Sequence, residues 1–364
     1  MHRFIQFFKQ WLLPIAIVFG ISLYLLYHFT TFLRPWGGIL HVAASEGQRL
    51  VIALLLFFQF VQISPHDLGL KRWHLGALLF QVAGFLLCAL GSALTPDGPL
   101  RILLECAMIC LICPTAAAAG VITKKLDGDL PATMSYIVIV NAAATFLIPM
   151  VIPMIRPAAD LGFWAYVGRI AWKIFPILIL PGLLAWTIRY TTRRLQRVLM
   201  RWSRYTFYIW FFGLTLAMVL STHALLVSRL GGGTIALIVL VSMATCALQF
   251  LAGRRIGRSA AGAGEADGAD GASGCVSGAD GGASGDSGGS SGAAGGTLRA
   301  ADGQTAITAG QALGQKNTGF LIWLGYNYLT PVTSVAGGLY AIWQNLFNSW
   351  ELLQHSRRAS SEKH

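Results

Sequence analysis

The chain has 364 residues, of which 55% are hydrophobic and 12% charged, and its mean hydropathy is +0.61. Soluble globular domains carry about 25% charged residues, so the composition excludes that class and indicates a membrane protein with several spans. The formal net charge is +12. Basic loops between apolar spans account for this charge, and no nucleic-acid partner is expected.

Windows of about 20 mainly apolar residues predict ten membrane-spanning helices. In the first half the predicted spans are 11–33, 48–63, 73–94, 100–123 and 131–155. In the second half they are 163–188, 205–227, 232–253, 309–329 and 332–353. The first apolar run is too long for a signal-peptide core and is predicted to remain as a helix. The predicted fold is therefore all-α and integral to the lipid bilayer.

Basic residues concentrate in alternate loops of this arrangement. With a cytoplasmic N-terminus, the cytoplasmic loops hold Lys71 and Arg72, Lys124 and Lys125, and the arginine clusters in 193–204 and 254–258. The opposite loops hold far fewer basic residues. The positive-inside rule then predicts an even number of spans, with both termini cytoplasmic, in the cell inner membrane.

The spans also divide the chain into segments. Residues 1–155 form a predicted first repeat of five spans, and 156–258 hold the next three spans. Residues 259–304 are almost entirely Gly, Ala, Ser and Asp. Such a composition cannot bury enough apolar surface to offset the entropy of ordering, so a disordered cytoplasmic linker is predicted there. Residues 305–356 hold the last two spans, and 357–364 form a cytoplasmic tail.

Two predicted spans are interrupted. In the fourth, Pro114 removes a backbone donor in mid-span and Gly120 follows shortly after. In the ninth, Gly314 and Gly319 bracket the polar residues 315–318. The interruptions fall at the fourth span of each group of five. This pattern predicts two inverted five-helix repeats of a secondary transporter, with the binding site where the interruptions meet.

These stretches resemble the bile acid:sodium symporter superfamily. The sequence 314–319, Gly-Gln-Lys-Asn-Thr-Gly, with Pro331 and the run 339–345 after it, is similar to that family's ninth- and tenth-helix motif. Cys113-Pro114 and the run through Gly128-Asp129 to Pro149 look like its fourth and fifth helices. The resemblance implies a panel domain of spans one, two, six and seven, and a core domain of the others. The broken helices four and nine would cross in the core, and an organic anion would bind between the domains.

The chain departs from the family's sodium-binding pattern. The Ser-Asn pair of the family reads Ala119-Gly120, and its Glu reads Ala312. The Gln before the motif's Asn reads Lys316. On the fifth helix two alignments remain open, one giving Thr133 and Ile137 and the other giving Ile137 and Asn141. Since sodium prefers several hard oxygen ligands, sodium coupling is not expected.

Lys316 is instead the predicted ion-coupling residue, together with Gln81, Gln315 and Thr133. Its ammonium is predicted to occupy or adjoin the lost cation site, donating to carbonyls of residues 114–116 and to Gln81. Burial favours the neutral amine, so uptake and release of a proton is the coupling that this residue suggests.

The predicted function is secondary active transport of an organic anion or small amphipathic solute by alternating access. The predicted substrate-binding residues are polar and lie on the resembling helices: Thr115, Asn141, Asn317, Thr318 and Asn345. Each could instead bond to helix carbonyls and hold neighbouring helices together. No cofactor, resident metal or enzymatic motif is predicted.

Two alternatives stay open at this stage. The chain could be a transporter-like membrane sensor that binds a ligand without net transport. It could also export a metalloid such as arsenite, because Cys106, Cys110 and Cys113 share the fourth span. Small packing residues are the simpler interpretation of these cysteines.

Overall fold

The structure is a computed structural model that describes residues 2–228, 230–273 and 303–361. These residues are helical almost throughout, and they contain no strand apart from one isolated antiparallel bridge. The helices, in chain order, are α1 His2–Phe29, α2 Gly37–Val61, α3 Arg72–Leu94, α4 Pro99–Ile112, α5 Ala118–Lys125, α6 Leu130–Ile155, α7 Phe163–Leu178, α8 Leu180–Thr191, α9 Arg193–Trp202, α10 Thr206–Ser228, α11 Gly232–Ser273, α12 303–314, α13 Thr318–Tyr328 and α14 Thr333–Ser361.

Five helical segments of the described residues are long and apolar enough to cross a membrane. They are Thr31–Val61, Arg72–Leu94, Leu130–Ile155, Arg193–Ser228 and Gly232–Gly262. A sixth results when α7 and α8, bent by 41° at their junction, are taken as one span. Large apolar side chains cover the outside of these helices; Leu87 and Phe146 are about 70% exposed. Lipid is the environment that such a surface requires, and the chain is a multi-pass membrane protein.

The helices at the first, fourth, ninth and tenth predicted spans are not among these segments. For the first, the apolar helix described with its side chains is Ile15–Phe29. The fourth and ninth are divided into α4 and α5 and into α12 and α13, each shorter than the ~20 residues that a bilayer requires. The tenth, α14, is long but carries buried polar residues such as Gln344, Asn348 and Glu351. The ten-span arrangement therefore stays a prediction.

The segment boundaries also differ from the predicted ones. Helix α11 continues beyond residue 253 to Ser273, so it enters the stretch predicted as a linker. Helix α12 begins at 303, and the remainder of the predicted linker, 274–302, lies outside the described residues. Helix α14 continues to Ser361, into the predicted tail. In both helices, residues buried in the protein precede the extension and hold the part of the helix from which it continues.

The helices pack in two groups. In one, α2 contacts α8 and α10, and α10 contacts α1. In the other, α3, α4, α11 and α14 contact one another around the two interruptions, with α6 against α3 and α13 against α14. The groups are joined where α10 and α2 contact α13, where α10 contacts α14, and where α7 contacts both α6 and α2. The largest core cluster surrounds the interruptions, and it includes Ile109, Ile137, Phe250 and Phe320.

Helix α12 lies unusually close to α11. A Cβ added at Gly253 would lie 2.5 Å from the carbonyl oxygen of Ala309, and one at Gly257 would lie 2.6 Å from that of Thr305. The two glycines are four residues apart and form a small-residue face of the kind that lets membrane helices approach backbone to backbone. This contact sets the position of α12, which ends at the second interruption.

Enlarging this face should separate the two helices. We expect Gly257→Leu to lower the melting temperature of the purified protein by at least about 4 °C, because the new side chain overlaps backbone atoms that cannot move away. Gly262→Leu is the matched control, since Gly262 lies on the same helix with open space around its Cα. Equal melting temperatures for the two variants would contradict this account of the α11–α12 contact.

Candidate functional site at the two helix interruptions

The two interruptions meet in the interior of the protein. Thr115 and Lys316 form an isolated antiparallel bridge. The backbone N–H of Ala116 donates to the carbonyl of Gln315 at 3.1 Å, and that of Asn317 donates to the carbonyl of Pro114 at 2.8 Å. Each broken segment therefore supplies main-chain hydrogen-bond partners to the other. Such partners are needed because lipid offers none.

Local chemistry explains where each helix stops. Cys113 has φ −52° and ψ 131°, the extended conformation that a following proline favours. After the second interruption Asn317 caps α13, since its side-chain oxygen accepts from the backbone N–H of Phe320 at 3.2 Å. Pro114 thus lies in the first interruption, as predicted, and the second is confined to residues 315–317.

The predicted break residues Gly120, Gly314 and Gly319 do not lie in the interruptions. Gly120 and Gly319 belong to the first turns of α5 and α13, and Gly314 is the last residue of α12. Their role is to admit close neighbours. A Cβ at Gly314 would overlap the ring of Phe250, and one at Gly319 would lie 2.7 Å from Nε2 of Gln48. These glycines therefore flank the interruptions, and the neighbouring side chains leave no room for a larger residue at these positions.

Lys316 is fully buried, and its side chain reaches α3. The ammonium donates to Oε1 of Gln81 at 2.9 Å, and the hydroxyl of Tyr136 donates to the same oxygen at 3.0 Å. Nε2 of Gln81 donates to the carbonyls of Ile112 at 3.1 Å and Cys113 at 3.4 Å, at the end of α4. The predicted contact between Lys316 and Gln81 is present. The predicted direct donation to carbonyls of 114–116 is replaced by this relay through the glutamine amide, because Gln81 already covers the open end of α4.

A corresponding set of residues covers the end of α12. The hydroxyl of Tyr340 donates to the carbonyl of Gly314 at 2.7 Å. Nε2 of Gln249 donates to that hydroxyl at 3.0 Å and to the carbonyl of Cys110 at 3.1 Å. The hydroxyl of Thr115 donates to the carbonyl of Ala312 at 2.6 Å. The sequence analysis did not identify Gln249 and Tyr340. The pattern that could have indicated them is a glutamine on the third predicted span, and a tyrosine on the fifth, in each half of the chain.

The backbone of Lys316 is held by α14. Its N–H donates to Oε1 of Gln344 at 2.9 Å. The neighbouring Asn345, a predicted substrate-binding residue, instead donates to the carbonyl of Ala341 on its own helix at 2.7 Å. An amide side chain of α14 therefore contacts the interruption, but it belongs to Gln344 and not to Asn345.

Two predicted ion-coupling residues have partners elsewhere. The side chain of Gln315 donates to Gln311, which in turn donates to Glu351, and Glu351 pairs with Arg254. This network ties α12 to α11 and α14.

Thr133 donates to the carbonyl of Asp129 at 3.0 Å, and its hydroxyl oxygen lies 3.3 Å from that of Thr123. Neither side chain contacts the ammonium of Lys316 in the hydrogen bonds of the described residues.

Asn141 is the predicted substrate-binding residue with unused polar atoms, and Thr318 is another one that the interior buries. Both are buried, and the amide oxygen and nitrogen of Asn141 have no hydrogen-bond partner among the described residues. Since a buried amide without partners costs about 1–3 kcal/mol, Asn141 is a position where a polar group of a ligand would gain hydrogen bonds.

A second cluster of charged side chains lies toward the N-terminal end of α4. Glu105 is fully buried; its carboxylate accepts from Nε of Arg156 at 2.7 Å and from the backbone N–H of Thr330 at 3.2 Å. Arg156 also donates to Asp97 at 2.7 Å. Burial lowers the pKa of Arg156, but the hydrogen bonds and negative charges of Glu105 and Asp97 outweigh it and leave that pKa above its ordinary value. These contacts join α4, the end of α6 and the segment before α14.

The described residues contain no group of three or more His, Cys, Asp or Glu side chains arranged to hold a metal ion. Cys106, Cys110 and Cys113 are all buried, and the thiol of Cys113 donates to the carbonyl of Asn317 at 3.1 Å. This thiol therefore contributes to the closure of the second interruption.

The fold and site together define a multi-pass helical membrane protein in which two interrupted helices meet around one buried lysine. No known protein-family model matches the chain, and no curated protein matches it.

The site predicts a specific energetic coupling between Gln81 and Lys316. We expect Gln81→Leu to cost about 3 kcal/mol of stability, because it leaves the ammonium and the α4 carbonyls without a partner. In the Lys316→Met background the same substitution should cost at least about 1 kcal/mol less. The measurement is a double-mutant cycle on denaturant unfolding of the purified protein.

Gln62→Leu is the matched control for this cycle, since Gln62 donates only to the carbonyl of Phe58 on its own helix. Its cost should be the same, within about 0.5 kcal/mol, whether residue 316 is lysine or methionine. Additive effects of Gln81→Leu and Lys316→Met would mean that the ammonium does not depend on the glutamine.

Proposed function

We propose that the protein is a secondary active transporter that moves an organic anion or a small amphipathic solute by alternating access. The observation that carries this proposal is the contact between Thr115 and Lys316, where two interrupted helices meet in the protein interior. Non-helical backbone at membrane depth is tolerated where it lines a binding cavity, and paired interrupted helices are typical of secondary transporters.

The hydrogen bonds around the interruptions support an arrangement of ten spans in two inverted five-helix repeats. Gln81 on α3 and Tyr136 on α6 serve the end of α4. Tyr340 on α14 donates to the end of α12, and Gln249 on α11 donates to Tyr340. In the proposed repeat, α3 corresponds to α11 and α6 to α14. The same residue pair then recurs at corresponding positions, as expected if one five-helix unit occurs twice.

The two packing groups support a division into a panel and a core. The proposed panel consists of α1, α2, α7, α8 and α10, and the core holds both interruptions. Contacts between α13 of the core and α2 and α10 of the panel form part of the boundary. In alternating access the core moves against the panel, so a bound solute at this boundary is exposed to each side in turn.

Lys316 takes the place of a coupling sodium ion in this proposal. The open carbonyl end of α4 attracts a cation, and the ammonium supplies that charge through the polarised amide of Gln81. A covalently held cation cannot travel with the solute, whereas a proton on its amine can leave and return. Transport is therefore independent of sodium and responds to proton concentration.

The contacts of the basic loops support cytoplasmic termini in the inner membrane. Asp127, beside Lys124 and Lys125, pairs with His355 near the C-terminus, and its carbonyl accepts from Gln304. Arg254 pairs with Glu351 on the same part of α14. These basic segments therefore lie at one end of the helices, as the positive-inside rule requires of cytoplasmic loops.

The substrate search precedes the transport test. We expect one compound from a panel of bile acids, small carboxylates and vitamins to raise the melting temperature of the purified protein, since a bound ligand stabilises the native state. The radiolabelled form of the compound with the largest shift then serves as the probe for uptake by proteoliposomes. Saturable binding without accumulation would contradict transport and favour a sensor.

Replacing sodium by choline on both sides should leave uptake of that probe within about twofold. Lys316→Gln should abolish uptake or its pH dependence without creating sodium dependence, because the amide removes the charge and restores no carboxylate at Ala312. Lys173→Gln is the control, since Lys173 is partly exposed and contacts only Glu46 in an ion pair. A loss of more than about tenfold in choline, or ~1.4 kcal/mol of coupling, would mean that sodium binds.

A further inference from the structure

A second group of titratable side chains lies away from Lys316, where α13 meets α2 and α10. The hydroxyl oxygen of Tyr326 on α13 lies 2.5 Å from Nε2 of His41 on α2. The same oxygen lies 2.6 Å from Nδ1 of His223 on α10. One phenol therefore bridges two imidazoles that belong to the other packing group.

The surroundings of this bridge are aromatic. From α1, the ring of Tyr24 lies 5.6 Å from that of His223, and the ring of His28 stacks on Tyr24 at 6.1 Å. From α13, Asn327 accepts from Ser45 of α2 at 3.3 Å.

The charged groups of the next turn of α2 are already engaged. Glu46 and Arg49 pair with each other, and the guanidinium of Arg49 also lies 5.8 Å from the ring of Trp323 on α13. The ion pairs of the described residues include neither His41 nor His223. A proton that arrives at the bridge would therefore not be neutralised by an adjacent carboxylate.

The hydrogen bonds of the bridge depend on the protonation state of the imidazoles. A neutral imidazole has one N–H donor and one acceptor nitrogen, and a phenol has one O–H donor and two lone pairs. With both histidines neutral, one ring donates to the phenol oxygen and the other accepts the phenol hydrogen. When a proton occupies the accepting nitrogen, both rings present N–H groups to Tyr326, and the phenol hydrogen loses its acceptor. The positive charge also lies close to the second imidazole, since the two ring centres are 5.5 Å apart.

We propose that His41, Tyr326 and His223 form a proton-binding site that holds α13 against α2 and α10 when neutral and releases it when protonated. The proton adds to the imidazole nitrogen that accepted the phenol hydrogen, and it leaves the same nitrogen when the bridge forms again. Histidine suits this role because its charge changes in the physiological pH range.

Release of α13 would affect the second interruption, because the two are parts of one continuous segment. Helix α13 begins at the second interruption, and Tyr326 lies about 12 Å further along its axis than Thr318. A cavity of about 270 Å³ borders His223 and Tyr326 and is otherwise lined mainly by apolar residues of α10 and the segment before α14. The side chains of His223, Ser228, Tyr326 and Thr330 in its lining are the polar partners that a water molecule beside the imidazole would need. Protonation thus acts on a helix that begins at the second interruption and contacts the other packing group.

The role of this site in coupling rests on the proposed transport function, but proton binding and helix release do not. The test therefore needs no substrate. Hydrogen–deuterium exchange of α13 is measured in the full chain in lipid nanodiscs at pH 5.5 and 8.0, with rates corrected for intrinsic exchange. We expect exchange of α13 amides to be at least about tenfold faster at pH 5.5, because the bridge is then broken.

The variant that separates titration from contact is His41→Gln combined with His223→Gln. A glutamine amide can donate and accept as a neutral imidazole does, but it does not take up a proton. The double variant should exchange slowly at both pH values, with a ratio below about twofold. His66→Gln, in the loop after α2, is the control and should retain the tenfold ratio. A wild-type ratio near one, or a full ratio in the double variant, would overturn the proposal.

Tyr326→Phe keeps the test decisive if the double variant does not fold. Loss of the hydroxyl removes the bridge at every pH, so its exchange at pH 8.0 should already equal that of the wild type at pH 5.5. Exchange identical to the wild type at both pH values would overturn the proposal. A normal pH response in a protein that accumulates no solute would leave the proton site intact and exclude only the transport function.

Discussion

Two helices end inside an apolar protein, and the hydrogen-bond groups at those ends must be satisfied there. Neither lipid nor packed leucine and isoleucine can accept or donate, and each unmet group costs several kcal/mol at membrane depth. The contact between Thr115 and Lys316 meets part of this requirement with main-chain partners. Gln81, Thr115 and Tyr340 meet much of the rest, each donating to a carbonyl near a broken helix end. The amides and hydroxyls of the surrounding helices thus supply the hydrogen bonds that the interrupted helix ends require.

The cost of burying the ammonium of Lys316 is offset by the charge and the hydrogen-bond partners around it. Helix carboxyl ends carry partial negative charge, and two such ends, those of α4 and α12, approach each other here. Lys316 offsets that charge, and the oxygen of Gln81 receives two donors at once, the ammonium and Tyr136. The glutamine nitrogen is correspondingly polarised toward Ile112. Hydrogen bonds in such chains strengthen one another, so loss of one member weakens the others.

The charged side chains of the core are divided between its two ends. Glu351 and Arg254 tie α14 to α11 at the end with the basic loops, while Glu105 and Arg156 tie α4 to the end of α6. Both pairs hold core helices to one another. The contacts of α13 with the other packing group include the phenol between two histidines, the hydrogen bond of Ser45 to Asn327 and the apolar packing of Ile322 against α10. The boundary between the groups therefore includes titratable imidazoles among its polar contacts.

The sequence by itself determined the features that depend on local chemistry. Pro114 lacks an N–H, Asn317 can cap a helix, and Lys316 is a charge in an apolar run, so the positions of the interruptions and the unusual lysine were predictable. Gln81 was predictable only through resemblance to a family pattern.

Only the tertiary structure decided which side chains meet. Adjacent residues of a helix point about 100° apart, so Gln344 reaches Lys316 while Asn345 bonds to its own helix. The glycines predicted to break helices instead admit Phe250 and Gln48, a role that depends on neighbours distant in sequence. The pairing of Gln249 with Tyr340, and of His41 and His223 with Tyr326, depends on helix rotation and on contacts between distant segments. Hydropathy cannot report these features, because it records how apolar a helix is and not which face meets which neighbour.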